Sequence, residues 1–182
     1  AAIDFGWDHP TAVVWCAVDN ETETFYVYDC YRASKASPAV HAEIIKMRPH
    51  FIPIAYPHDG NRRDSMGNPG LADQYRGHGC NFKLEHFTNP PALGQVKGSN
   101  SIEEGLMAMI QSMEAGKFKV FSTLPDWFEE FRMYHRKGGK VVPLRDDIMS
   151  ATRYAFQSQR FALAGADPEW TKDLTYRNYG IV

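Results

Sequence analysis

The sequence lacks the features of membrane, disulfide-rich and zinc-finger proteins. No apolar run approaches the roughly 20 residues that a membrane-spanning helix needs, and no signal peptide opens the chain. Its three cysteines, Cys16, Cys30 and Cys80, are odd in number, lie far apart and show no CxxC spacing. We therefore expect neither a disulfide framework nor a zinc finger, and this cysteine usage favours a reducing cytoplasm.

A strong excess of charge of either sign is also missing. The formal net charge is −2 at pH 7, so overall electrostatics does not mark a nucleic-acid binder. Five positive residues nevertheless cluster late in the chain: Arg132, Arg136, Lys137, Lys140 and Arg145. Gly138-Gly139 lies inside this cluster, which predicts a basic β-hairpin near residues 132–144. A solvated turn is the alternative interpretation.

The size and composition are typical of one globular domain. The chain has 182 residues, of which 43% are hydrophobic and 23% charged, enough to bury its own core. We expect one domain over residues 1–164 and a C-terminal tail over residues 165–182 with little regular structure. The sequence begins without methionine, inside a predicted strand, so we expect a fragment of a longer polypeptide.

Apolar patterning predicts an α/β fold. Runs of β-branched and aromatic residues predict strands over residues 1–6, 11–18 and 24–32, joined closely enough to form an antiparallel meander. Later strands are expected over residues 51–56, near 81–85 and over 117–122. Helices are expected from Ser37 to Pro49, over roughly 68–78, from Ser101 to Gly116, over 124–134 and from Asp146 to about Ala164. This alternation implies a mixed sheet, with parallel strands after the meander, flanked by helices.

Aspartates stand at the ends of three predicted elements. Asp4 lies in the first strand, Asp59 follows the fourth strand, and Asp146-Asp147 begin the last helix. Carboxylates that converge repel one another unless a cation compensates them. Hard oxygen ligands select Mg²⁺ or Mn²⁺, and two such ions about 3.5–4 Å apart are the usual device for phosphodiester hydrolysis. The pattern predicts a two-ion site, in which one ion activates a water and the other stabilises the leaving oxygen.

Each aspartate also has an ordinary structural explanation. Asp4 could accept turn amides before Gly6, Asp59-Gly60 is a common turn dipeptide, and acids in a first helical turn complement the helix dipole. Adjacent helical residues point about 100° apart, so one member of the Asp146-Asp147 pair is expected to coordinate directly, and we favour Asp147.

Three motifs, in their order and spacing, resemble the C-terminal nuclease domain of tailed-phage terminase large subunits of the headful-packaging type. They are DFGWDHPTAVVW, YPHDGNRRD and RDDIMSATRYAF, and the similarity runs from residue 1 to about residue 164. The resemblance implies an RNase H-like fold and Mg²⁺- or Mn²⁺-dependent cleavage of double-stranded concatemeric viral DNA in the host-cell cytoplasm. It also implies an upstream packaging ATPase domain, a portal and a small terminase subunit as partners. The chain itself has no GxxxxGK[ST] motif.

Carried over residue by residue, the acidic positions of this family fall on Asp4, Asp59 and the Asp146-Asp147 pair. Asp8 is an expected auxiliary ligand. His9 or His58 could orient water, although a loop histidine is often only a surface residue. The residues expected to contact DNA are Arg132, Arg136, Lys137, Lys140, Arg62 and Arg63, with Arg76 as an addition.

Two other classes of function stay open at this point. One is another RNase H-like nuclease of the resolvase, transposase or RNA–DNA hybrid type. The other is a non-catalytic RNase H-like module that binds a nucleotide or a partner protein. A protein kinase is excluded, because the DFG tripeptide has neither a Gly-rich loop nor an HRD-type loop with it.

Overall fold

In the computed structural model, residues 1–63 and 66–163 are described. The strands are β1 (Ala2–Asp4), β2 (Thr11–Asp19), β3 (Thr24–Ala33), β4 (Phe118–Val120), β5 (Arg136–Lys137) and β6 (Lys140–Val141). The α-helices are α1 (Pro38–Lys46), α2 (Leu71–Gly77), α3 (Ile102–Glu114), α4 (Pro125–Met133) and α5 (Asp147–Gln157). Short 3-10 helices cover His58–Asn61 and Gln159–Phe161. Within the described ranges, no helix combines the length and the hydropathy needed to cross a membrane.

Four strands form one mixed sheet in the order β1-β2-β3-β4. The first three are antiparallel neighbours, and β4 joins β3 in parallel. At the turn between β2 and β3, the Asp19 carboxylate accepts hydrogen bonds from the Glu21 amide and the Thr22 hydroxyl, which favours the reversal of the chain. The predicted antiparallel meander with an added parallel strand is confirmed.

Two predicted strands, over residues 51–56 and 81–85, are wrong. Ile54 forms a single parallel bridge to Phe82, and the residue after Ile54 forms another to β1. Pro53 has no N–H to donate, so the ladder cannot continue on its N-terminal side. These segments are therefore extended chain with isolated bridges.

The bridging segment nevertheless follows β1 closely. The Ile3 amide donates to the Ala55 carbonyl, and the Ala55 amide donates to the Ala1 carbonyl, each at 2.9 Å. The chain then turns through the 3-10 helix that carries Asp59. Because Ala55 pairs with Ala2 in parallel, the chain after Ala55 runs in the same direction as β1. It therefore carries Asp59 toward the end of β1, where Asp4 lies.

Side chains alternate across the sheet and bury a hydrophobic cluster on each face. Val14 of β2 contributes to a cluster with residues of α3, α4 and α5, whereas Val13 and Trp15 contribute to a cluster with residues of α1 and α2. In the first cluster, Phe25 meets Phe156 edge to face, with ring centroids 5.2 Å apart. Helices therefore cover both faces of the sheet.

Helix α5 packs directly on β1 and β2. Its Ala151 and Ala155 are buried in the same cluster as Ala2 and Ala12 of these strands. Small side chains on both sides let the helix and the sheet approach closely. The start of α5 is thereby brought to the end of β1.

The last helix is shorter than predicted. It ends at Gln157, whose carbonyl accepts a hydrogen bond from the Arg160 guanidinium, and the chain then tightens into the 3-10 helix Gln159–Phe161. The predicted end near Ala164 and the predicted tail over residues 165–182 lie outside the described residues.

A buried hydrogen bond between α4 and α5 tests this packing. Trp127 Nε1 donates to the Thr152 hydroxyl at 3.0 Å, and that hydroxyl donates to the Ile148 carbonyl at 2.7 Å. Thr152→Val keeps the shape but leaves the indole N–H unpaired, so we expect the free energy of unfolding in urea to fall by about 1–3 kcal/mol. Thr123→Val, at an exposed position, is the control. Equal stability of the two variants would contradict the prediction.

Candidate active site

Three chain segments carry the four aspartates singled out by the sequence. Asp4 is the last residue of β1 and is partly buried. Asp59 is exposed in the 3-10 helix that follows the bridging segment. Asp146 directly precedes α5, and Asp147 is buried in the first turn of that helix.

The charges of these acids act on Asp4. Its pKa is raised from 3.8 to about 8, first by burial and then by the negative charges of Asp147, Asp146 and Asp59, in that order. The Tyr154 hydroxyl donates a hydrogen bond to the Asp4 carboxylate and opposes the rise. Carboxylates from three distant parts of the sequence therefore lie near enough to repel one another.

The two adjacent acids at the start of α5 are perturbed in the same direction. Burial raises the pKa of both, and the charge of Asp146 raises the pKa of Asp147 further. His9 opposes the rise at both carboxyls, and Arg153 opposes it at Asp146. Asp146 occupies the N-cap position, but its side chain makes no capping hydrogen bond. Its carboxylate therefore does not cap the helix, although a hydrogen bond with its own backbone amide also opposes the rise of its pKa.

The carboxylates do not form a ready-made metal cage. Among residues 1–63 and 66–163, no three Asp, Glu, His or Cys side chains are grouped so that they could hold a metal ion. The aspartates are close enough for their charges to interact, but they are farther apart than ligands of one metal ion would be. Of the four, Asp59 has an exposed side chain that is free to change rotamer, whereas Asp147 is fixed by burial.

The neighbouring residues singled out by the sequence differ in their surroundings. Asp8 is exposed in the connection between β1 and β2. It is not among the acids whose charges raise the pKa of Asp4. His9, in the same connection, lies close enough to the start of α5 to act on both acids there. His58 instead lies beside His86, with ring centroids 6.5 Å apart.

Sequence reasoning missed Glu130, a fully buried acid in α4. One of its carboxylate oxygens accepts hydrogen bonds from the Ile148 and Met149 amides at 2.7 and 3.2 Å, and the other accepts one from Arg32 at 3.0 Å. Burial raises the pKa of Glu130 to about 7, against the effect of these donors. The available signal was its position three residues after the apolar Trp127, on the same helical face.

Sequence reasoning also missed two residues of α5. Tyr154 lies about two helical turns after Asp147 and therefore on the same face, a spacing that could have identified it. Arg153 is buried, with its guanidinium 5.6 Å from the Phe87 ring centroid, and its Nη1 has no hydrogen-bond partner among the described residues. A Cβ at Gly105 would come within 2.8 Å of the Arg153 side chain, so only glycine leaves room for it.

Strands β5 and β6 form a hairpin whose turn is Gly138-Gly139. Both glycines have positive φ, 59° and 79°, as a type I′ turn requires. Lys137 and Lys140 are exposed on this hairpin, whereas Arg136 pairs with Glu103 at 2.6 Å. The two lysines are thus the hairpin cations most available to a ligand.

The remaining basic residues fall into two groups. Three that were expected to contact DNA are exposed: Arg132, Arg62 and Arg63. Arg76 is turned toward the protein, where it donates to the Tyr56 hydroxyl at 3.0 Å and to the Phe82 carbonyl. It supports the loop around Phe82, and its suggested addition to a DNA track stays a prediction.

Comparison with known proteins assigns the family. Residues 1–159 match the terminase RNaseH-like domain family. The chain is also 37% identical over 162 residues, 88% of its length, to the large terminase subunit of Salmonella phage P22. The chain belongs to the terminase RNaseH-like domain family. It spans 31% of the length of the P22 protein.

Solved structures of terminase domains have the same fold. The P22 large terminase nuclease domain superposes with a TM-score of 0.78 at 36% identity, covering 88% of this chain and 80% of that one. The large terminase nuclease domain of bacteriophage SPP1, solved with bound Mn, gives a TM-score of 0.58 at 18% identity, covering 88% and 84%. The predicted RNase H-like fold and the resemblance to terminase nuclease domains are confirmed.

The raised pKa of Asp4 in this terminase domain makes a pH-dependent prediction. Because the folded-state pKa of about 8 lies above the ordinary 3.8, the contribution of Asp4 to stability is present at low pH and is lost as the pH rises between these values. Asp4→Asn removes the ionisable group. Without divalent cations, we expect the variant to melt at a higher temperature than the wild type near pH 9, by about 2–4 °C for each kcal/mol that burial and repulsion cost the ionised Asp4.

Differential scanning calorimetry near pH 4 and pH 9, with chelator present, measures this effect. The two proteins should differ little near pH 4, where the carboxyl is protonated in the folded state. Asp73→Asn, at an exposed position on α2, should show no such pH-dependent gain. An Asp4→Asn variant that is no more stable than the wild type near pH 9 would mean that burial and the neighbouring acids do not destabilise the ionised Asp4 carboxylate.

Proposed function

We propose that this chain is the metal-dependent endonuclease domain of a large terminase and cuts concatemeric double-stranded viral DNA during genome packaging. The observation that carries the proposal is that negative charges from two other chain segments, the start of α5 and the 3-10 helix of Asp59, act on the partly buried Asp4. Partly buried like charges destabilise a fold, so a purely structural domain gains nothing from them. Such strongly perturbed acids are typical of catalytic sites. Membership of the terminase family supports phosphodiester cleavage as the reaction.

The proposed cofactors are two Mg²⁺ or Mn²⁺ ions. The donor set fits them, because carboxylate oxygens are hard ligands. The proposed ligands are Asp4, Asp59, Asp147 and Asp146, with Asp8 as an auxiliary. When bound, such ions lower the pKa of a coordinated water and stabilise the oxygen that leaves phosphorus. The bound Mn of the SPP1 nuclease domain supports this assignment.

Other side chains would orient the carboxylates and the attacking water. Tyr154 restricts the orientation of Asp4 by donating a hydrogen bond to it. His9, beside Asp146 and Asp147, is an exposed imidazole that can orient the attacking water by hydrogen bonding. The exposed Asp59 can adjust to a cation that the more rigid acids hold in part.

The proposed DNA contacts lie on the hairpin and beside the acids. Arg132, Arg136, Lys137 and Lys140 belong to or precede the hairpin, and Arg62 and Arg63 directly follow the 3-10 helix of Asp59. Phosphate neutralisation supplies most non-specific affinity for DNA. With a net charge of −2, the isolated chain is expected to bind weakly and to depend on other parts of a packaging machine for delivery of the duplex.

The proposed partners are an upstream packaging ATPase domain of the same polypeptide, a portal and a small terminase subunit, in the host-cell cytoplasm. The chain covers only 31% of the P22 large subunit, which leaves ample length for another domain in that relative. Because this chain has no GxxxxGK[ST] motif, ATP hydrolysis of the P-loop type would have to come from another segment.

Asp59→Asn tests the proposed reaction. We expect it to reduce Mn²⁺-dependent plasmid cleavage by about 10²–10³-fold, the scale of losing one strong electrostatic contribution to a transition state. Because Asp59 is exposed and its charge repels Asp4, the melting temperature should not fall. Asp73→Asn, which also neutralises an exposed acid, should cut normally. Full cleavage by Asp59→Asn would remove this residue from the mechanism.

The choice of substrate separates this proposal from a resolvase. A packaging nuclease should cut linear and circular duplexes without needing a branch. Parallel assays on plasmid DNA and on four-way junctions, at equal protein and Mn²⁺ concentrations, measure the preference. Cleavage of junctions without nicking of duplex DNA would favour the resolvase class.

Reversal of charge on the hairpin tests the DNA contacts. We expect Lys137→Glu together with Lys140→Glu to weaken binding to duplex DNA and to lower the salt dependence of log K by about 2, since each phosphate contact contributes about 0.9. Fluorescence anisotropy over a salt series measures the slope. Lys46→Glu with Lys119→Glu, on α1 and β4, changes the net charge equally. An equal effect of both pairs would assign the result to net charge alone.

A further inference from the structure

Helix α5 begins with two acids, yet neither caps it. The first amides of a helix have no partner within the helix, and an aspartate at the N-cap usually accepts hydrogen bonds from them. Asp146 has the N-cap position but makes no such bond. The acceptor comes from α4 instead, where Glu130 Oε2 accepts from the Ile148 amide at 2.7 Å and from the Met149 amide at 3.2 Å.

Glu130 is itself held in place by the sheet. Arg32 of β3 donates to Glu130 Oε1 at 3.0 Å, and it also pairs with Asp126 at 3.2 Å and Glu129 at 2.7 Å on the same helix. The Glu130 side chain has no solvent exposure, so water does not compete for either oxygen. A chain of charge-assisted hydrogen bonds thus fixes the N-terminus of α5 relative to β3.

This arrangement means that the Asp146 side chain does not have to cap the helix. Because Glu130 occupies the amides of the first turn, Asp146 does not need to turn its carboxylate toward the helix. The charges of both Asp146 and Asp147 act on Asp4. One buried acid on α4 therefore allows two acids on α5 to serve a common site.

We propose that Glu130 is a positioning residue of the cation site, which caps α5 in place of Asp146 so that both acids of the pair are available beside Asp4. The inference rests on the proposed function, because the cation site is part of it. Arg32 completes the device by fixing the Glu130 carboxylate. A residue that merely stabilised the fold would affect melting but not the affinity of the folded protein for a cation.

Glu130→Gln is the first test, measured by isothermal titration of the full 182-residue chain with Mn²⁺. Glutamine retains one acceptor oxygen but directs an NH₂ group at either Arg32 or the helix amides. We expect the affinity for Mn²⁺ to fall by about 10- to 100-fold, the range for residues that orient metal ligands. Glu114→Gln is the matched control, since it makes the same change at an exposed position at the end of α3 and should leave the affinity unchanged.

A double-mutant cycle with Asp146→Asn makes the test specific. In the wild-type background, Asp146→Asn should weaken Mn²⁺ binding. In the Glu130→Gln background, Asp146 is expected to have turned to cap the helix, so the same change should weaken Mn²⁺ binding much less and should lower the melting temperature instead. Additive losses of affinity would overturn the inference.

The outcomes also separate this inference from the proposed function. If the wild type binds Mn²⁺ and Asp4→Asn weakens binding, but Glu130→Gln binds like the wild type, the positioning role alone is overturned. If the wild type binds no Mn²⁺, the proposed function fails and the positioning role fails with it. Should Glu130→Gln not fold, Arg32→Lys serves in the same titration, because it keeps the charge but loses the forked guanidinium; unchanged Mn²⁺ affinity would again overturn the inference.

Discussion

Repulsion among partly buried carboxylates is the constraint on which the arrangement of this domain depends. Asp4 receives the negative charges of three other aspartates in a position where burial has removed much of the screening water. Opposing effects on these acids come from a hydrogen bond with Tyr154, from backbone hydrogen bonds of Asp146 and Asp147, and from positive charge at His9, Arg153 and Arg32. Burial and repulsion together outweigh these effects at Asp4, and they raise its pKa to about 8.

The fold restricts some of these acids and leaves another adjustable. Asp4 is fixed by the antiparallel pairing of β1 with Ala12 of β2, and Asp147 is fixed by burial in a helix that Glu130 caps. Asp59, by contrast, is exposed on a short 3-10 helix. Asp4, Asp147 and Asp59 can therefore repel one another even though they are not arranged as ligands of one ion. A change of rotamer at Asp59 would bring its carboxylate toward an ion held by the other two. This combination accounts for strong charge coupling in a domain whose described residues present no preformed cage.

Local features of the sequence predict elements well and long-range partners poorly. The meander could be predicted because its strands are long and rich in β-branched residues, whereas the run that contains Pro53 is too short and lacks a donor. Asp146-Asp147 could be recognised as a helix start, but their distance from other acids is not encoded locally. Glu130 was missed because the only local signal was a helical face shared with Trp127, and its partner Arg32 lies 98 residues earlier in the chain.

The same repulsion bears on how DNA would reach the site. A duplex is a polyanion, and an acid-rich site opposes its approach until positive charge is present between them. The exposed Lys137 and Lys140 are carried on a hairpin that leads directly into the start of α5, so cationic and acidic groups are adjacent in the chain. The net charge is therefore close to zero because the positive hairpin and the negative site are different parts of one domain. On the proposed function, the hairpin holds phosphates while cations at the aspartates remove the barrier to the scissile one.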